Sequence, residues 1–365
     1  MRSDDGLVVD RVDLIDAAWL TAVLAPRFGT LDVADLAVTP VGTGQMGASY
    51  RVRAAFAATS EARNGPVPDS FVVKLPNPDP SSRAMAAGAY RTEVSFYREI
   101  ASTLPVRTPD CFFAAISDRG EEFVLVLEDL APAVQGDQLA GCSGPAAIDA
   151  VVNLARLHGP RWCDPTLDHH VWLARPDPEE ADVLADVMGT ATETFTTRFA
   201  DRISPQDRAT LELVPEIVGD WVVGRAERFA LVHGDYRLDN LMFPADGAAG
   251  VAALDWQTLS IGLPARDLAY FVGTSLAPDE RRASERELVE AYRDELSRLG
   301  VSGYSADACF DDYRFGALQG PVIIVLGAAY GTPTPRGDEM FLAMTARACS
   351  TIRELDTVGA IARRG

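Results

Sequence analysis

Lysine is almost missing from this 365-residue chain. Lys74 is its single instance, and the other 32 of its 33 basic residues are arginines. Where generic positive charge is supplied as guanidinium, a retained lysine marks a place that needs a compact ammonium. Codon usage is the competing account of the same imbalance. Paired cysteines are lacking as well: Cys111, Cys142, Cys163, Cys309 and Cys349 are odd in number, widely spaced and form no C-x-x-C. That argues against both a disulfide framework and a zinc site. The longest apolar stretch, Pro321 to Tyr330, is too short to span a bilayer. The acidic start, Met1 to Asp13, has no basic segment leading into an apolar one, so no signal peptide is expected and a cytoplasmic location is the default.

Positive charge is in deficit overall, with a formal net charge of -20. Nucleic acid and anionic membrane surfaces are therefore disfavoured as partners, whereas a neutral or cationic small molecule is allowed. Nothing in the pattern specifies an oligomer. A hydrophobic content of 47% with 24% charged residues lets the chain bury a sizeable core, and its length suffices for two domains.

What is present falls into two regimes. Leu14, Ile15, Ala18, Trp19, Ala22 and Val23 make a helical stripe that stops at Gly29. Strand patterns follow at Leu36 to Val41, Ser49 to Phe56, Phe71 to Leu75, Cys111 to Ile116 and Glu121 to Leu127, with a polar loop expected over Glu61 to Asp69. One helix starts at Pro80, with Met85, Tyr90, Val94, Tyr97 and Ile100 on one face and Glu93 beside it. After a pattern-poor stretch, Ala131 to Gly144, the chain turns mainly helical, apart from short apolar runs on either side of residues 233–250. The expectation is an α+β protein: a small antiparallel sheet lobe with one key helix over 1–130, and a larger, mainly helical lobe over 131–365.

Five motifs carry chemistry. Gly42-Thr43-Gly44-Gln45-Met46-Gly47 is a G-x-G-x-x-G, but an alternating strand follows it where a dinucleotide-binding fold requires a helix. A hairpin over phosphates, ending at Ser49, is the better reading, with a plain glycine-rich turn as the alternative. Lys74 lies on the third strand of that lobe. Glu93 and Glu99, on the helix beyond, compete as its partner. Leu231-Val232-His233-Gly234-Asp235-Tyr236-Arg237-Leu238-Asp239-Asn240 is the strongest motif, followed twenty positions after Asp235 by Asp255-Trp256, and then by Asp267-Leu268-Ala269.

These elements, in this order from about Leu36 to Phe271, resemble the aminoglycoside phosphotransferase and choline kinase superfamily, whose fold is protein-kinase-like. The wording looks closest to bacterial phosphotransferases near the ecdysteroid-kinase-like branch. The resemblance implies an ATP- and Mg²⁺-dependent kinase of a small-molecule hydroxyl. It implies a phosphate-cradling hairpin at Gly42, Gly44, Gly47 and Ser49, a phosphate-binding Lys74 fixed by Glu93, and an adenine-binding hinge at Glu128 and Leu130. Asp235 would accept the hydroxyl proton, Arg237 would face the γ-phosphate, and Asn240 and Asp255 would bind magnesium. Asp267 and His158 read as supporting residues, and His169-His170 as a surface pair without a third ligand. The acceptor would lie against segments near Trp162 to Trp172 and Tyr313 to Tyr330. It is left open between an aminoglycoside or other antibiotic and a lipophilic, sterol-like, choline-like or hydroxyacyl alcohol. A nucleotide-binding module without transfer and a Rossmann oxidoreductase are the competing classes.

Overall fold

The computed structural model describes residues 6–42, 46–58, 60–62 and 65–362. Gly44 lies outside these, as do Thr43 and Gln45. The fold divides into two compact units, the first formed by Met1–Thr103, Thr108–Ala131 and Asp255–Gln257, the second by Leu104–Arg107, Pro132–Leu254 and Thr258–Gly365.

In chain order the first unit contains α1 (Ala17–Phe28), β1 (Gly29–Thr30), β2 (Val33–Val41), β3 (Gly47–Phe56), β4 (Glu61–Ala62), β5 (Ser70–Pro76), α2 (Pro80–Ser95), β6 (Cys111–Ile116) and β7 (Phe123–Glu128). Five of the strands form an antiparallel sheet in the order β2-β3-β5-β7-β6. Alternation along β5 sends Phe71, Val73 and Leu75 into a core shared with Leu20, Val23 and Leu24 of α1, which leaves Lys74 on the opposite face. The polar stretch expected as a loop opens with β4, which pairs antiparallel with β1.

Asp79 caps α2, accepting from the Ser81 amide at 3.1 Å, and Pro80 takes the first turn. Met85 does not belong to its buried face, being 86% exposed. Five residues separate it from Tyr90, about 140° round the helix. Arg83 and Ala86 occupy that face instead, with Tyr90, Glu93 and Val94. A π-turn over Phe96–Ile100 then adds a residue to the winding, which keeps Tyr97 and Ile100 buried.

The second unit contains β8 (Val134–Gln135), α3 (Gly144–His158), α4 (Pro178–Arg198), α5 (Pro205–Glu212), α6 (Val214–Val223), β9 (Ala230–Val232), β10 (Leu241–Phe243), β11 (Ala252–Ala253), β12 (Ser260–Gly262), α7 (Ala265–Ser275), α8 (Pro278–Arg298), α9 (Ala306–Gly316), α10 (Gln319–Tyr330), α11 (Pro335–Leu355) and α12 (Thr357–Ala362). Asp177, Ser204 and Thr334 cap α4, α5 and α11, each followed by a proline that starts the helix. Two small antiparallel ladders, β8-β10-β11 and β9-β12, bracket the residues between 232 and 241. The pattern-poor stretch therefore contributes β8 to a sheet. Every residue of α7 is buried, making it the centre of this unit. Among the described residues no helix is long and apolar enough to cross a membrane.

Candidate active site

In the first unit three charged groups from distant parts of the chain meet. The Lys74 ammonium lies 2.7 Å from Glu93 and 3.0 Å from Asp255. The Glu93 side chain is 1% exposed, that of Lys74 13% and that of Asp255 43%, so Asp255 is the arm of the cluster open to solvent. Burial works against the ammonium, but Asp255 and Glu93 outweigh it and hold the Lys74 pKa above the ordinary value. Burial likewise pushes the Glu93 carboxyl up, against the pull of Lys74. Gln257 donates at 3.3 Å to Glu93 Oε2, the same oxygen that Lys74 approaches at 2.7 Å. Glu93, and not the exposed Glu99, holds the lysine.

Asp255 sits in the left-handed region at φ 64°, where an aspartate is better tolerated than most side chains. Trp256, fully buried, stacks on Phe96 with centroids 3.9 Å apart and donates to Thr108 at 2.9 Å. The π-turn thus delivers the ring that anchors the residue after Asp255.

Ser49 pairs with Lys74 in the β3-β5 ladder, and Gly47 with Pro76. A side chain at Gly47 would meet the Leu75 carbonyl at 2.7 Å, so this position must be glycine. Gly42 follows β2 directly. At the end of β7, the Glu128 carboxylate accepts from the Asp110 amide at 3.1 Å, and Leu130 lies two residues beyond, half-buried. Asp129, in the same expected hinge segment, lies between them. Arg51 grips it at 2.7 and 3.0 Å and Ser70 donates to it, so that, against burial, its carboxyl is held below the usual range. Asp129 thereby ties β7 to β3 and β5.

In the second unit the focus is Asp235. Tyr270 of α7 donates to Oδ1 at 2.8 Å, and Asn240 donates to Oδ2 at 3.0 Å and to the Asp235 carbonyl at 2.9 Å. Arg237 donates from Nε at 3.1 Å and reaches Asp239 at 3.4 Å. Burial and the adjacent Asp235 push the Tyr270 phenol well above its ordinary pKa, which keeps it a donor. Asp239 is in turn gripped by Arg336 at 2.9 and 3.0 Å and by the Gln138 amide at 3.0 Å. Burial would raise the Asp239 carboxyl, but these partners hold it low.

Beneath the loop, Asp267 accepts from the amides of His233 at 2.6 Å and Gly234 at 3.0 Å. Its Oδ2 also faces His158 Nε2 at 3.3 Å, while His158 Nδ1 meets the Tyr292 hydroxyl at 2.7 Å. A carboxylate only accepts, so Nε2 carries a proton. Burial lowers the His158 pKa despite Asp267. Gly234, at φ 82°, brings its backbone so near Thr258 that a side chain would lie 2.7 Å from the Thr258 carbonyl. Tyr313, which opens the second segment expected near the acceptor, is fully buried and donates to Glu285 at 3.2 Å.

Chemically, the first unit offers an ammonium with an excess carboxylate, and the second a carboxylate held by three donors. Among the described residues no group of three or more His, Cys, Asp or Glu is arranged to hold a metal ion. A magnesium ion that takes most of its ligands from phosphate and water needs only one or two protein oxygens. Asp255 has an exposed carboxylate, and Asn240, whose amide nitrogen is committed to Asp235, keeps its amide oxygen as an acceptor. Both fit that requirement.

Residues 49–302 match the phosphotransferase enzyme family, which is more than half of the chain, and the protein belongs to that family. Its fold is that of the choline kinase from Cryptosporidium parvum Iowa II, with a TM-score of 0.56 at 8% identity over 94% of this chain and 98% of that one. Wild-type aminoglycoside 2'-phosphotransferase-IIIa, in its GDP complex, gives 0.54 at 11% identity over 92% and 99%. The fold class is accordingly protein-kinase-like α+β. In sequence, 78 residues are 37% identical to mouse acyl-CoA dehydrogenase family member 10, covering 21% of this chain and 7% of that protein. The match thus spans under a tenth of that curated relative.

Proposed function

We propose that this phosphotransferase is a small-molecule kinase that transfers the γ-phosphate of ATP, with Mg²⁺, to an acceptor hydroxyl. The observation that carries it is the convergence of Lys74, Glu93 and Asp255: a lysine held charged by two carboxylates, one of them exposed. We assign nucleotide binding to residues 1–130 and the acceptor to 131–365. Backbone amides around Gly42, Gly44, Gly47 and Ser49 approach phosphate oxygens, Lys74 supports the α- and β-phosphates, and backbone groups at Glu128 and Leu130 meet the adenine edge. Asp235 takes the acceptor's proton as the new oxygen–phosphorus bond forms and the bond to ADP breaks. Asn240 and Asp255 would hold magnesium, whose charge offsets that of the phosphate oxygens. Arg237 balances Asp235 and Asp239 next to the transferred group.

For the acceptor, an aminoglycoside or other antibiotic is the reading suggested by the fold relatives. A second reading, an acyl-bearing or otherwise lipophilic alcohol, is favoured by two observations. Asp239, the carboxylate beside Asp235 in the loop, is already paired with both Arg237 and Arg336, which reduces the negative charge a polycation would seek. The local sequence relatives are also named as acyl-CoA dehydrogenase family members. The deciding experiment measures ADP release from MgATP with kanamycin, choline and a hydroxyacyl thioester, in wild type and Asp235→Ala. Release stimulated by one alcohol and lost in the variant supports the kinase. Tight nucleotide binding with no transfer to any alcohol would make the protein a binding module.

A further inference from the structure

The helix α2 buries polar groups on the face it turns to the sheet, and three of them grip the same short region. Arg83, itself paired with Asp10 at 2.7 Å, donates to the Asn77 carbonyl at 2.7 Å. Glu93 holds Lys74. Between these two, the Tyr90 hydroxyl donates to the Met46 carbonyl and accepts from the Asn77 amide at 3.0 Å. Tyr90 is fully buried, its ring 4.5 Å from that of Phe123.

The register gives this hydroxyl its meaning. Gly47 pairs with Pro76, so Met46 and Asn77 would be the next pair in the β3-β5 ladder. The Tyr90 oxygen stands between them, accepting from the Asn77 amide and donating to the Met46 carbonyl. A side-chain oxygen inserted in a ladder holds the two backbones farther apart than their own bond would. It does so at the point where the chain leaves the glycine hairpin. Packing alone does not call for it, because phenylalanine fills the same space without a buried hydroxyl to satisfy.

We propose that Tyr90 is a nucleotide-positioning residue: its hydroxyl fixes how far the base of the glycine hairpin stands off the Lys74 strand, and so sets affinity for a nucleoside triphosphate. This rests on the reading of the first unit as the nucleotide site. The same helix then places the hairpin through Tyr90 and the lysine through Glu93, one turn apart.

The test uses the full chain, MgATP and MgGTP, and two variants. Tyr90→Phe removes the relay and keeps the ring; Tyr97→Phe removes another buried hydroxyl of this helical segment, whose partner is Thr108 at 3.4 Å. Tyr90→Phe is expected to weaken binding of whichever nucleotide the wild type takes by about tenfold, the worth of one or two hydrogen bonds. Amide exchange should quicken at Asn77 and over Gly47 to Tyr50, with an unchanged pattern in β6 and β7. Tyr97→Phe should bind as wild type does. Unchanged exchange at Asn77 in Tyr90→Phe would overturn the relay, and faster exchange with affinity within twofold of wild type would overturn the positioning role. Equal losses of affinity in both variants would reduce Tyr90 to a general packing role. A wild type that binds neither nucleotide would overturn the nucleotide reading itself, and the positioning role with it.

Discussion

The lysine cluster and the aspartate cluster solve opposite electrostatic problems. Around Lys74 two carboxylates face one ammonium, and the surplus negative charge is carried by the exposed arm, Asp255. Around Asp235 the surplus is in donors: Tyr270, Asn240 and Arg237 all point at one carboxylate. The first cluster suits the approach of a cation with phosphates, the second a base whose orientation is fixed before an acceptor arrives. They also differ in range. Residues 74, 93 and 255 come from three separated segments, whereas 235, 237 and 240 share one loop, with only Tyr270 brought from elsewhere.

The largest effect expected is at the second cluster. Asp235→Asn keeps a similar shape but cannot take a proton, so turnover should fall by about 10²–10⁴-fold while the dissociation constant for nucleotide stays near wild type. Nucleotide binding lost along with turnover would merge the two clusters' roles. Next comes Lys74→Arg, which conserves charge but replaces a point ammonium with a broad fork. We expect ADP release to drop by about 10²-fold, with thermal unfolding little changed. Near-normal activity would return Lys74 to the codon-usage explanation. Tyr270→Phe leaves the ring and removes one hydrogen bond to a charged group, so kcat should fall about tenfold without a change in KM for nucleotide. A rise in that KM would tie Tyr270 to the other cluster.

The smallest effect concerns pH. Burial lowers the His158 pKa in the folded state, whereas the unfolded chain takes up its proton near 6.5. The unfolded state therefore binds more protons as pH falls through that value, and stability is lost on the acid side. Melting curves at pH 8 and pH 5.5 should show a larger drop in Tm for wild type than for His158→Asn. An equal drop would mean that His158 does not titrate on unfolding.

That difference in range also governs what could be read in advance. The loop from His233 to Asn240 is contiguous, and its chemistry follows from residue types at fixed offsets. Tyr270 was missed because its hydroxyl reaches Asp235 through the fold, although a tyrosine inside a fully buried helix signals that its hydroxyl needs a partner. Tyr90 was seen as an apolar position for the same reason, its ring being legible and its hydroxyl not. Met85 was misplaced on that helix because five-residue spacing does not keep a face. The Arg51–Asp129–Ser70 tie and the Asp239–Arg336 pair had no sequence signal, since surface-type residues pair by proximity alone.

By itself the sequence determined the α+β class, the order of the motifs and the singling out of Lys74, because those depend on periodicity, spacing and the chemistry of single side chains. Only the tertiary structure decided that Glu93 and not Glu99 holds Lys74, that Tyr270 holds Asp235, and that Tyr90 stands at the end of the β3-β5 ladder. Each of these depends on which atoms a helix turns toward its neighbour, and that is settled by packing over long sequence separations rather than by local pattern.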